Sequence, residues 1–251
     1  MGGMNRLDTE AYLARIGASA EDPLSVLVDR HLHAVPFETL SIHLGEPIVL
    51  EPGALFDKIV VRRRGGFCHE LNGMFAVLLR EFGYEVDLLA AGVADGSGGF
   101  TAPLAHVALR VGSGGRSWLV DVGFGRFGIG PVDLDEPSPQ LAPAPFGDLD
   151  VSSAGGELAY RVELRPRRRE DFLPTCWWQE TSPDAPFTHA PLCSLPVDGG
   201  RVTLTGTTLV RTAADGTRTE TALSDDDALA AYRDLFGVAL DRLPTPRFGE
   251  G

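Results

Sequence analysis

Chemistry in this chain can begin at a cysteine placed where an anion is favoured. Residues Arg62-Arg63-Arg64-Gly65-Gly66-Phe67-Cys68-His69-Glu70-Leu71-Asn72-Gly73-Met74-Phe75 run from a cationic stretch through paired glycines to a thiol. From Leu71 the apolar residues fall at 71, 74, 75, 78, 79 and 82, and Gly83 follows as a stop, which predicts a helix. Cys68 then lies at or just inside a helix N-terminus, where unpaired N–H groups and the macrodipole favour a thiolate. The two glycines remove side chains that would block a substrate's approach. The same residues also fit a small buried hydrophobe, the commonest fate of a free cysteine. What separates the two is whether the chain supplies a base.

A nucleophilic cysteine needs a base, and the base an orienting partner. Histidines stand at 31, 33, 43, 69, 106 and 189. Leu104 to Val111 and Arg116 to Val122 read as strands around the loop Gly112-Ser113-Gly114-Gly115. With Val111 paired to Arg116, His106 lies directly opposite Asp121, on one face with Cβ atoms roughly 5 Å apart. A carboxylate there fixes the imidazole tautomer and stabilises the imidazolium. A slip of one residue would send the two to opposite faces. Alone, the pair would be an ordinary cross-strand contact. The glycine-rich corner Asp121-Val122-Gly123-Phe124-Gly125, which ends the strand in an open turn, points instead to a cleft. His69 is a poor base for Cys68, since adjacent helical residues point about 100° apart; it lines the site at best. His31 and His33 are surface or packing residues. There is no His-Glu-x-x-His or Cys-x-x-Cys spacing, so no metal is expected. Gly123-x-Gly125-x-x-Gly128 leads into Ile129-Gly130-Pro131 rather than a helix, which excludes a dinucleotide loop.

These residues need elements to hold them. Asp8 can cap a helix through Ile16, Asp22-Pro23 can open one to about His33, and Ala54 to Val61 form another. After Gly83, strands are expected at Glu85 to Leu89, Leu104 to Val111, Arg116 to Val122, Leu158 to Leu164 and Arg201 to Arg211, as an antiparallel sheet or small barrel. Arg165 to Arg169 read as a solvated loop or strand end. Ser224 caps a last helix whose Leu229, Tyr232, Leu235 and Phe236 share a face. The chain has 251 residues, 43% hydrophobic, enough for a substantial core. Its net charge of −13 argues against nucleic acid or an anionic membrane as partner. Three widely spaced cysteines exclude a disulfide framework, and no apolar run could span a bilayer or serve as a signal core. A cytoplasmic protein with reduced thiols is expected.

Taken in order, these stretches are similar to a known family. Arg64-Gly65-Gly66-Phe67-Cys68-His69-Glu70-Leu71-Asn72 resembles the active-site signature of the arylamine N-acetyltransferases. Val35-Pro36-Phe37-Glu38-Thr39-Leu40 with Ile42-His43 resembles the early motif, and His106 with Val120-Asp121-Val122-Gly123-Phe124-Gly125 the later catalytic segments. Phe187-Thr188, Leu192-Cys193-Ser194 and Arg201-Val202-Thr203-Leu204 resemble the C-terminal region. The resemblance implies an α+β fold with a papain- or transglutaminase-like cysteine-triad core. Residues 1–84 would form a helical bundle carrying the nucleophile, 85–185 an antiparallel β-barrel carrying His and Asp, and 186–251 a small α/β lid. It implies a triad of Cys68, His106 and Asp121 that moves an acetyl group by a ping-pong route through an acyl-cysteine. No tightly bound cofactor is implied; acetyl-CoA, or another acyl thioester, is co-substrate, and a small arylamine or hydrazine the acceptor. Glu38 and Arg64 would form a structural ion pair, Phe37, Phe124 and Phe187 an aromatic pocket, and backbone near Thr101 and Gly125 would face CoA.

Thr39 stands where the family usually has Asn, and His69 where an aromatic or aliphatic residue is usual. Only about forty residues follow Arg211, which suggests a shortened lid. Two other readings use the same triad: an amide synthase that closes a macrolactam from an acyl chain on a carrier protein, and a cysteine hydrolase. A third, a non-catalytic binding module, would leave the thiol inert.

Overall fold

Local signals set the helical start of the chain. The computed structural model describes residues 8–248. Asp8 Oδ1 accepts from Ala11 N at 2.9 Å and opens α1 (Thr9–Ile16), which Gly17 closes in the left-handed conformation. After Pro23 comes α2 (Leu24–Ala34), then the two-residue strand β1 (Phe37–Glu38) and α3 (Leu40–Leu44). α4 (Pro52–Phe56) runs straight on into one π-helical turn, Asp57–Val61. α5 (Cys68–Glu81) follows and is the hub of the fold. Its Leu71, Met74, Phe75, Leu78 and Leu79 are completely buried, packed against α1, α4 and the sheet described next.

That sheet comprises β2 (Glu85–Val93), β3 (His106–Ser113), β4 (Arg116–Asp121), β5 (Ile129–Asp133), β6 (Leu141–Pro143), β7 (Leu149–Ser152) and β8 (Leu158–Arg167). The order is β5-β4-β3-β2-β8-β7-β6, antiparallel throughout. The strands alternate with period two. Leu88, Ala90, Val107, Leu109 and Val120 join the core around α5, whereas Leu89, Ala91, Ala108, Leu119 and Val162 fill a second core inside the curl of the sheet. The expected barrel does not close. Among the described residues β5 and β6 remain edges, so the sheet is an open half-barrel. Each edge carries a proline, Pro131 and Pro143, and proline has no N–H to give to a further strand.

The β3–β4 hairpin corrects the expected register. Ser113 pairs with Arg116 and Leu109 with Val120, so the loop is only Gly114-Gly115, both at positive φ. His106 and Asp121 are therefore diagonal neighbours rather than directly opposed. The shift is two residues, an even number, so both side chains keep one face.

Helix α6 (Arg169–Thr181) was not expected. It contains Pro174 and lacks a clear apolar stripe, so periodicity gave no sign of it. The arginine run spans the end of β8 and the start of α6. The last third forms a second antiparallel sheet from β9 (Leu192–Val197), β10 (Gly200–Thr205), β11 (Thr208–Ala213) and β12 (Arg218–Ala222). The stretch expected as one strand, Arg201 to Arg211, is a hairpin turned at Gly206-Thr207. β1 adds to this sheet beside β9, so residues 37–38 are tied to the C-terminal part of the chain. Thr39 strengthens the tie: its Oγ1 accepts from Leu192 N at 3.1 Å. Ser224 caps α7 (Asp225–Phe236), which lays Tyr232 and Phe236 on the sheet.

Candidate active site

Cys68 is the first residue of α5 and is 3% exposed. Glu70 anchors the helix start by accepting from Phe67 N at 3.2 Å. The glycines ahead of it have a different purpose from the one expected. A Cβ on Gly65 would lie 1.9 Å from the Pro36 carbonyl oxygen and one on Gly66 2.7 Å from Glu70 Oε2, so Gly65 lets two chain segments cross and Gly66 makes room for the Glu70 carboxylate. Cys68 Sγ lies 3.7 Å from the Ala105 carbonyl oxygen, to which its S–H can donate.

His106 begins β3, and its Nε2 lies 2.6 Å from Asp121 Oδ2. Asp121 is completely buried, and its other oxygen accepts from Asn72 Nδ2 at 2.7 Å and Gly123 N at 2.8 Å. Asn72 is saturated: its Nδ2 also donates to Val107 O, and its Oδ1 accepts from Val122 N. Asn72 is one turn along α5 from Cys68, so one helix face presents the thiol and clamps the carboxylate. With Nε2 committed to Asp121, Nδ1 is the ring nitrogen left for the thiol. Burial disfavours charge on the His106 ring, but the Asp121 carboxylate and the Cys68 thiolate outweigh it and raise its pKa to about 10. The ring packs against Tyr160 and Phe124, with centroids 4.9 and 5.4 Å away.

A second ionic cluster lies behind Cys68. Arg64 Nε donates to Glu38 Oε1 at 3.0 Å, the pairing expected from the sequence. The cluster is larger than that pair. Lys58 Nζ sits 2.6 Å from Glu70 and 4.0 Å from Glu38, and Arg64 also reaches Glu46 at 3.2 Å. Burial would raise the Glu38 carboxyl, but Lys58, Arg64 and the Leu40 N–H together hold it below the usual range. For Glu70 burial prevails over Lys58, and its carboxyl is raised.

The three expected pocket aromatics fall into two groups. Phe37 and Phe187 meet edge to face at 5.9 Å, with Phe67 beside Phe187 at 5.5 Å, whereas Phe124 sits on His106. Gly125 has φ 80° and lies flat on the Phe37 ring, where a Cβ would come within 2.9 Å of ring carbons. Thr101 is exposed, and it bonds Val93 through both its own N–H and its Oγ1. His69, expected to line the site, is buried, with Nε2 3.0 Å from Leu104 O.

Asn72 and Glu70 lie in the stretch singled out from the sequence but were given no role there. The offset of four from Cys68 on an otherwise apolar face was the available signal for Asn72. Nothing local marked Lys58.

Comparison places this arrangement in a family. The N-acetyltransferase family model matches residues 22–146 and 150–244, and the chain belongs to the arylamine N-acetyltransferase family. It is 29% identical to the pineal gland isozyme NAT-10 of Gallus gallus, an arylamine N-acetyltransferase, over 96% of this chain and 97% of that one. The Nocardia farcinica arylamine N-acetyltransferase structure superposes with a TM-score of 0.81 at 33% identity, covering 93% of this chain and 90% of that one. The Mycobacterium marinum arylamine N-acetyltransferase in complex with CoA gives 0.81 at 29% identity, covering 92% and 93%. Among the described residues no helix is long and apolar enough to cross a membrane.

Proposed function

We propose that this protein transfers an acetyl group from acetyl-CoA to an arylamine- or hydrazine-type amine by a ping-pong route through acetyl-Cys68. The observation that carries this reading is the buried line of groups at the start of α5. There His106 is held 2.6 Å from Asp121 and carries a pKa of about 10, while Asp121 is clamped from the helix that bears the thiol.

In the first half-reaction the Cys68 thiolate, whose proton already rests on His106, attacks the thioester carbonyl. The tetrahedral adduct collapses with cleavage of the bond to the CoA sulfur, and the leaving thiolate is protonated by the imidazolium. In the second half the amine nitrogen attacks acetyl-Cys68 and loses a proton to His106. The amide departs, and Cys68 thiolate is restored beside the imidazolium. Asp121 stays ionised throughout; it orients the ring and offsets its charge. First-turn N–H groups of α5, which have no carbonyl partner within the helix, favour negative charge at Cys68 in each step. Phe37, Phe187 and Phe124 offer aromatic surface to the acceptor on two sides. Backbone near Thr101 and Gly125 is the proposed contact for CoA, and the solved family member holding CoA supports acetyl-CoA as donor.

Intact-protein mass spectrometry after mixing with acetyl-CoA tests the reading. One acetyl group on Cys68, discharged by added arylamine, is expected. No acetyl-Cys68 with acetyl-CoA, but loading from a carrier-bound acyl thioester, would replace it with the amide synthase.

A further inference from the structure

Two buried side chains outside the proposed triad converge on the carbonyls just before His106. His69 Nε2–H donates to Leu104 O at 3.0 Å, and Gln179 of α6 donates through Nε2 to Ala105 O at 2.8 Å. His69 is 3% and Gln179 7% exposed. The same Ala105 carbonyl lies 3.7 Å from Cys68 Sγ.

These carbonyls belong to a strained turn. Ala105 N closes onto Ala102 O at 3.2 Å, Pro103 follows Ala102, and Leu104 has φ +67°. Proline followed by a left-handed residue is the pattern of a type II turn, whose third position normally takes glycine. A leucine there is held against its own Cβ, so the surroundings must supply what the residue does not. Leu104 packs onto the core around α5, and the two side-chain donors pin the carbonyls of the two peptides that flank Ala105. His69 Nδ1 and Gln179 Oε1 find no close partner among the described residues, and the Gln179 side chain lies near enough to His69 to favour its charged form slightly, so the two donors reach the turn side by side. His106 comes two residues after Leu104, and the turn decides where its ring enters the site.

We propose that His69 and Gln179 are positioning residues that hold the Leu104–Ala105 turn and so aim His106 at Cys68. The neutral ring, with its proton on Nε2, is the form that makes the contact. Burial pushes the His69 pKa down to about 4, the Leu104 carbonyl opposing and charged His106 adding to the fall. Neighbouring histidines thus share the site in opposite states, one charged against Cys68 and one neutral against the backbone.

The proposal rests on the acyltransfer reading only in pairing Cys68 with His106, and iodoacetamide tests it without any acyl donor. The rate of Cys68 alkylation, followed by peptide mass mapping at neutral pH, is compared with thermal stability. His69→Phe keeps a ring but no donor, and should slow alkylation about tenfold or more, since misplacing a reacting group by about 1 Å costs up to about 100-fold. His69→Gln restores an N–H near the Nε2 position and should recover to within about threefold of the parent on the same scale. Leu104→Gly added to His69→Phe should also recover, because glycine holds the turn unaided. His69→Phe reacting at the parent rate, or His69→Gln as slow as His69→Phe, overturns the proposal. If His69→Phe does not fold, Gln179→Leu carries the test from the other side of the turn, and alkylation at the parent rate there overturns it equally.

Discussion

Helix α5 separates two buried ionic networks, and their difference is the ground for proposing chemistry at one of them. Cys68 and Asn72 share one face of the helix, and Glu70, two residues from each, points to the opposite side. On Glu70's side the charges are closed on themselves. Glu70, Lys58, Glu38 and Arg64 are all buried and every one has an opposite charge within 4.0 Å, with Glu46 completing the chain at its rim. On the Cys68 side Asp121 is equally saturated, but the second nitrogen of His106 is left to the Cys68 thiol, the group proposed to be acylated and freed again. Burial and pairing are common to both. Only the second leaves an exchangeable partner, and that is the condition for chemistry rather than architecture.

The comparison can be broken most sharply at Asp121. Asp121→Asn keeps the shape but sets an amide against the Asn72 and Gly123 donors and removes the charge that holds His106 protonated. Acetyl transfer should fall about 1,000-fold or more, as for an orienting carboxylate in a triad, read as kcat/KM on an arylamine. Arg64→Met strikes the other network. It leaves buried Glu38 with only the more distant Lys58 as counter-charge and should cost roughly 3 kcal/mol of stability in urea unfolding. The folded protein should still alkylate at Cys68 at nearly the parent rate. The reverse pattern, intact stability with a dead thiol, would make Arg64 part of the reactive network.

Asn72→Ala lies between the two, because Asn72 joins the helix to the carboxylate. It should lower kcat about 10- to 100-fold, as loss of an orienting outer contact does, and reduce stability by roughly 1–3 kcal/mol through the unpaired Val122 N–H. The smallest effect per pH unit is a slope that separates two buried histidines. His106, raised to about 10, contributes stability in full below the free histidine value and loses it as pH rises through about 10. His31 is completely buried between Tyr12 and Phe75 without a hydrogen-bond partner among the described residues, and burial pushes it down to about 3. Its contribution is whole above pH 6.5 and falls as pH drops toward 3, by up to about 5 kcal/mol in total. Urea unfolding from neutral pH to about pH 4 should show this loss, and His31→Leu should flatten it.

Much of this arrangement was legible along the chain. Asp8, Gly17, Ser224 and the apolar spacing from Leu71 announce helices because their hydrogen bonds and packing contacts close within a turn. The pairing of His106 with Asp121 survived a wrong register because strand faces repeat every two residues and the error was two. Elements without a local pattern were lost. Helix α6 has a proline inside and no apolar stripe, so its place on the core, and Gln179 with it, depended on neighbours far away in sequence. Closure of the sheet failed in the same way, since two edge strands either meet or do not for reasons no single strand contains.

The sequence by itself determined the place of Cys68 at a helix start and the face shared by His106 and Asp121. These follow from periodicities of 3.6 and 2 that operate between near neighbours. Only the tertiary structure decided what surrounds them: the Lys58–Glu70 pair, the Asn72 clamp reaching 49 positions to Asp121, and the His69 and Gln179 hold on a turn 35 and 74 positions away. Contacts at such separations are set by how sheets and helices pack after their loops close. A residue's type limits which partners it can take, and the fold selects among them.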